Sequence, residues 1–216
     1  MKDRSDWLLP TALIVLTVIP VLGGAARLTQ LWGGAQITPE NARFFAGAVS
    51  TVLHILSCLV FNVLGAFQFA PRFRRRRPDW HRRAGRVLTV CGIVAGISGV
   101  WMTLTYPRAE GDDALLFWFR LLFGSAWVVC MVWGFAAIRR RDVMQHRTWM
   151  MRGYAIGAGA GTQALVHIPW ILLFGKPGDL ARALLLGAGW VINLAVAEWI
   201  IRRRTASQLV RPAAIA

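Results

Sequence analysis

Charge is scarce in this sequence, and acid scarcer still. Only 16% of its 216 residues are charged, and ten of those are Asp or Glu. Cysteine is sparse too: Cys58, Cys91 and Cys130 share no CxxC or other ligand spacing, and each lies in an apolar segment. They read as unpaired, buried thiols acting as small packing residues. HExxH, a phosphate-binding loop and a Ser-His-Asp arrangement are all missing, so hydrolase chemistry has no support and no enzymatic activity is assigned. Gly157, Gly159 and Gly161 alternate as in a nucleotide-binding loop, but no strand precedes them and no acidic ribose partner follows.

What the chain has instead is apolar length. Hydrophobic residues make up 56% of it, with eleven Trp, in blocks of about 20 residues, the length a helix needs to cross a bilayer. The expected fold class is an all-α polytopic membrane protein, a single six-transmembrane-helix bundle over residues 1–203. Its spans fall at about 8–28, 45–69, 87–106, 115–138, 153–174 and 184–201, and 204–216 form a disordered cytoplasmic tail. The first span resembles a secretory signal, but Pro10, Pro20 and five further spans favour a retained helix.

Basic residues set the expected orientation. Nineteen of the 25 fall at the N-terminus, in 71–86, in 139–152 and in the tail, against six in the alternate connections and span ends. The net charge of +15 therefore marks a cytoplasmic face, not a nucleic-acid partner, and both termini are expected inside. Trp7, Trp80, Trp149 and Trp199 near the inner boundary, with Trp32, Trp118 and Trp170 near the outer one, fit an interfacial belt. Anionic lipid headgroups are the expected partners of Arg74, Arg75, Arg76, Arg77, Arg82 and Arg86, and of Arg139, Arg140, Arg141, Arg147 and Arg152.

Small residues recur along two spans, as Gly92, Gly96 and Gly99 and as Gly153, Gly157 and Gly161. Such stripes let helix backbones approach closely in lipid. Spans two and four also end alike: each runs into arginines and then a His-Arg pair, His81-Arg82 or His146-Arg147. This suggests a repeated hairpin.

Polar residues inside a membrane are costly and so mark function. His54, Cys58 and Asn62 form one stripe on span two, Gln163 and His167 lie four apart on span five, and Arg120 sits a turn inside span four. At about 1.5 Å rise per residue, both histidines and the arginine fall in the outer half. His54 and His167 form a candidate metal or haem-iron pair, with Arg120 facing a propionate and Gln163 beside it. His81 and His146 are a second, weaker candidate pair at the inner face. Glu198 precedes Arg202 by four residues, which suggests a helix-end ion pair.

The chain resembles the bacterial membrane family called domain of unknown function 2306. The likeness lies in Leu53-His54, Gly65 to Phe69, His81 to Arg86, Ser98 to Met102, Arg120-Leu121, Gly124, His146 to Arg152 and Gly161 to Gln163. It implies a six-helix membrane protein and carries no activity with it. A looser likeness, of architecture only, is to diheme b-type cytochromes. The expected function is accordingly a membrane redox protein of the bacterial inner membrane, carrying haem b and exchanging electrons with quinone. The alternatives are a small-molecule transporter or permease, or a non-catalytic lipid-binding or assembly scaffold.

Overall fold

A computed structural model describes residues 5–108 and 112–210. Among these residues all regular structure is helical: α1 (Ser5–Trp32), α2 (Ala42–Ala46), α3 (Ala48–Phe67), α4 (Pro71–Arg76), α5 (Pro78–Thr105), α6 (Ala114–Arg139), α7 (Val143–Gly157), α8 (Gly159–Phe174) and α9 (Asp179–Val210). Six helical stretches are long and apolar enough to cross a membrane: Asp6–Trp32, Ala48–Phe67, Pro78–Thr105, Ala114–Arg139, Val143–Phe174 and Asp179–Ala206. The fifth is built from two helices, α7 and α8.

Several helices run further than their apolar blocks. The stretch 71–86, read as a charged connection, folds as α4 and the first turns of α5. Pro71 and Pro78 each open a helix, where the missing N–H would have had no intrahelical partner anyway. The segment 139–152 likewise turns once, with Arg141 at φ 64°. It then re-enters helix at α7, where the Asp142 carboxylate accepts the Gln145 N–H at 2.9 Å. Residues 204–210, expected to be disordered, continue α9, since Arg and Gln are good helix formers. Residues 211–216 lie outside the described residues.

The order of packing gives the bundle its shape. α1 lies against α3 and α8, α3 against α5, α5 against α6, α6 against α9, and α8 against α9. α7 packs against α3, α6 and α9, which puts it at the centre. Phe61 of α3 meets Trp127 edge-on at 5.1 Å and stacks on Tyr154 at 5.8 Å. The Tyr154 hydroxyl donates to the Asn62 carbonyl at 2.9 Å. The glycine stripes are packing seams, as expected. A Cβ on Gly96 would lie 2.6 Å from Val128, and one on Gly157 would lie 2.7 Å from both Phe61 and Trp127.

Between α7 and α8 the fifth span is interrupted at a single residue, Ala158, whose φ of −76° and ψ of −3° stay in the right-handed helical region. Gly161 N–H reaches back only three residues, to Ala158 O at 3.1 Å. Asn193 of α9 compensates: its Nδ2 donates to the Ala155 carbonyl at 3.1 Å, and its Oδ1 accepts the Thr162 hydroxyl at 2.7 Å. A helical ladder loosened at membrane depth persists only where such groups satisfy the freed carbonyls. The break has a large consequence. Residues 153–159 are buried at the centre, whereas α8 moves out between α1 and α9 and exposes Leu165 and Leu172 to Phe174. The centre of the bundle is filled in the half that holds the termini and left open in the half beyond Ala158.

Candidate functional site: a cavity behind the helix break

The open half encloses a cavity of about 380 Å³. Its walls come from α3, α5, α6, α8, α9 and the end of α7, and it runs from Arg43, Arg108 and Asp112 down to His54, Cys58, Trp127 and Ile156. Arg120 and Gln163 border the same space. Three of the four residues expected in an outer-half site thus share one cavity.

His167 does not line it. It sits on α8 after the break, and its Nδ1 bonds the Gln163 carbonyl of its own helix at 3.1 Å. The cavity therefore receives one imidazole rather than two. His54 Nδ1 lies 2.9 Å from the Ala95 carbonyl and 3.2 Å from Ser98 Oγ, and Nε2 lies 3.6 Å from Cys58 Sγ. Gly99 makes room for this ring, since a Cβ there would lie 3.2 Å from His54 Cε1.

Asp112 dominates the mouth. Its side chain is only 3% exposed and meets three arginines: Arg120 at 2.6 and 3.3 Å, Arg182 at 3.2 Å and Arg43 at 3.9 Å. Arg120, placed by the sequence opposite a propionate, is thus engaged by a protein carboxylate. Arg43 and Arg27 both lie over the Phe44 ring, at 4.7 and 3.9 Å. Burial pushes the Arg43 pKa down; Asp112 opposes this, and Arg120, Arg182 and Arg27 add to it. Beside them Tyr106 donates its hydroxyl to Gly47 O at 2.5 Å and sits 2.8 Å from both Ser50 Oγ and Thr51 Oγ1. This pins α3 to the end of α5.

Two buried donors of cavity-lining residues are left without partners, Arg43 Nε and Trp127 Nε1. Trp127 is 6% exposed. Sequence reasoning passed over Asp112, Arg43 and Trp127. The available signal was that the chain's one acid-rich connection stands eight residues before an intramembrane arginine.

The other two histidines are placed alike. His81 and His146 are each the fourth residue of a helix, α5 and α7, rather than lying before one. Each Nδ1 bonds back to the preceding hairpin arm: His81 to the Gln68 side-chain oxygen and His146 to the Gly134 carbonyl at 2.8 Å. The likeness of the two hairpins thus extends to an Nδ1 bond onto the preceding arm, made to a side chain in one and to the backbone in the other. Nearby, Arg74 is half-buried, and its pKa is pushed down first by burial and then by Arg147, Arg204 and Arg75.

Two further expectations change. Glu198 pairs across helices with Arg152, at 2.5 and 3.1 Å, instead of along α9 with Arg202. Arg152, grouped with the headgroup arginines, is therefore already engaged. All three cysteines are free, as expected. Among the described residues no group of three or more His, Cys, Asp or Glu is placed to hold a metal ion.

Fold and site together define a six-helix membrane protein with an open-mouthed cavity in one half. The family model described as predicted membrane protein (DUF2306) matches residues 51–201, and the chain belongs to that family. No curated protein and no solved structure gives a significant match to it.

Proposed function

We propose that this protein binds a small membrane-soluble molecule in the cavity behind the Ala158 break, as a carrier or permease would. The proposal sets the chain in the cytoplasmic membrane of a bacterium, with both termini inside and the cavity mouth outside. The observation that carries the reading is the broken fifth span. Discontinuous helices whose freed backbone is satisfied from a neighbour line substrate sites in membrane carriers, and Ile156, Gly157 and Ala160 flank both break and cavity. The mixed lining, largely apolar with a few placed polar groups, is that of a ligand site. The arginine distribution supports the orientation. Arg74 to Arg77, Arg139 to Arg141 and Arg147 would then rest at anionic headgroups.

Mass spectrometry of small molecules released from gently purified protein tests this reading. A near-stoichiometric compound should be found on the wild type and lost from Ala160→Phe, which fills the cavity. Identical extracts from both proteins would refute it.

A second reading, favoured by a separate observation, is a redox protein carrying haem b. All four histidines direct Nδ1 at a carbonyl oxygen: Ala95, the Gln68 side chain, Gly134 and Gln163. That puts the proton on Nδ1 and the lone pair on Nε2, as in ligating imidazoles, although in His54 the Nε2 lone pair faces the Cys58 thiol at 3.6 Å. His54 would serve in the cavity, and His81 with His146 at the termini. Quinone would be the partner, and the haem would supply one-electron chemistry. Absorbance decides it: a Soret band lost in His54→Ala or in His146→Ala identifies the site. A colourless protein after expression with added haem removes this reading and leaves the first untouched.

A further inference from the structure

We infer that the ligand of the cavity is a small amphipathic anion, its carboxylate or phosphate head held by Arg43 and Arg120 and its apolar body running toward Trp127. This rests on the cavity being a ligand site. Charge at the mouth makes the first argument. Asp112 is shared by Arg43, Arg120 and Arg182, but a carboxylate has two oxygens and each guanidinium five donors. Asp113, the other described acid there, has its carboxylate on the Leu116 N–H at 2.9 Å, capping α6. Among the described residues that line the mouth, Arg43, Arg108 and Arg120 outnumber Asp112 and Asp113.

Arg43 is where the shortage shows. At 3.9 Å it is beyond hydrogen-bond distance of Asp112, and its Nε–H is buried with no acceptor. A buried donor on a charged group left unpaired is costly. The Nε–H has almost no accessible surface, so an anionic oxygen entering between Arg43 and Arg120 would satisfy it as the Arg43 side chain turns toward the ligand.

Below the mouth Gly96, Gly99, Met102, Phe117, Ile156 and Trp190 make the lining largely apolar, with His54 and Gln163 among its polar groups. At the floor Trp127 holds a second unpartnered donor, on a side chain more than nine-tenths buried. A cationic mouth, an apolar shaft and one N–H at depth select a charged head on an apolar body, with room for an acceptor at the far end. Cations are excluded by the arginines, and wholly apolar molecules leave both donors unsatisfied.

The test uses full-length protein in nanodiscs of neutral phosphatidylcholine, with binding read by equilibrium dialysis. The probes are decanoate, decyl phosphate, decanol and decyltrimethylammonium, and Ala160→Phe gives the baseline for partition into lipid. At least one anionic probe should bind saturably, near one per chain and about tenfold or more tighter than decanol, the size expected of a charge-assisted contact. Which anion wins tells a carboxylate head from a phosphate head. Arg43→Gln should remove most of the preference, and Trp127→Phe should weaken binding severalfold for a ligand with an acceptor at its tail. Equal binding of anions and decanol to the wild type would overturn the inference while leaving the cavity reading standing. No binding above the Ala160→Phe baseline by any probe would overturn both. If Arg43→Gln fails to fold, the comparison of probes on the wild type decides.

Discussion

Replacing Asp112 by Asn is the sharpest structural perturbation this molecule offers. The side chain is 3% exposed and is the described carboxylate facing Arg43, Arg120 and Arg182. Asn keeps its shape but removes the charge, leaving three guanidiniums to repel one another where solvent is scarce. Removing one partner from a buried ion pair typically costs about 3–5 kcal/mol. The arginines are 22% to 33% exposed, so the lower end applies, about 3 kcal/mol. In a protein of this size that corresponds to a fall of roughly 6–12 °C in Tm. A thiol-reactive dye can follow the transition, because Cys130 is buried and unpaired until unfolding. Asp113→Asn is the matched control. It makes the same charge change one residue away, but that side chain caps α6 and Asn caps as well as Asp. Equal shifts for the two variants, or a fall of less than about 2 °C for Asp112→Asn, would refute the reasoning.

Three further outcomes are expected. Asn193→Leu strands the Ala155 carbonyl and the Thr162 hydroxyl, and should cost about 1–3 kcal/mol by the same dye assay. Gly153→Leu should destabilise by about 1–3 kcal/mol or more, since even a Cβ there would lie 3.3 Å from the Cβ of Cys130 and closer to Met131. For orientation, a membrane-impermeant maleimide on intact spheroplasts should label Lys176→Cys and spare Arg141→Cys, and the reverse pattern would invert the proposed topology.

The parts legible in the sequence were those that depend on local composition. Apolar blocks revealed the spans, and the glycine stripes revealed the seams at Gly96 and Gly157. The periods that show these features carry no information on helix order, so nothing foretold that α8 would lie with α1 and α9. That is why His54 and His167, matched in depth, do not share the cavity. The break at Ala158 was hidden for a related reason. Gly157 and Gly159 suit close packing and a helix break equally, and the deciding residue, Asn193, is remote in sequence. Asp112 looked like an ordinary loop acid because its burial comes from Arg43, Arg120 and Arg182, on three different parts of the chain. The polar stripe of His54, Cys58 and Asn62 on span two, by contrast, is legible from its spacing, and it faces the bundle interior. Charge and hydrogen bonding leave such residues no stable position against lipid.

The central claim is that the fifth span breaks at Ala158 and leaves a ligand cavity beyond it. An experimental structure of the protein extracted from its own membrane tests this most directly. The account predicts α7 at the bundle centre, α8 displaced against α1 and α9, and elongated density in the cavity with its head between Arg43 and Arg120. A continuous helix from Val143 to Phe174 along the bundle axis, filling that space with its own side chains, would contradict it.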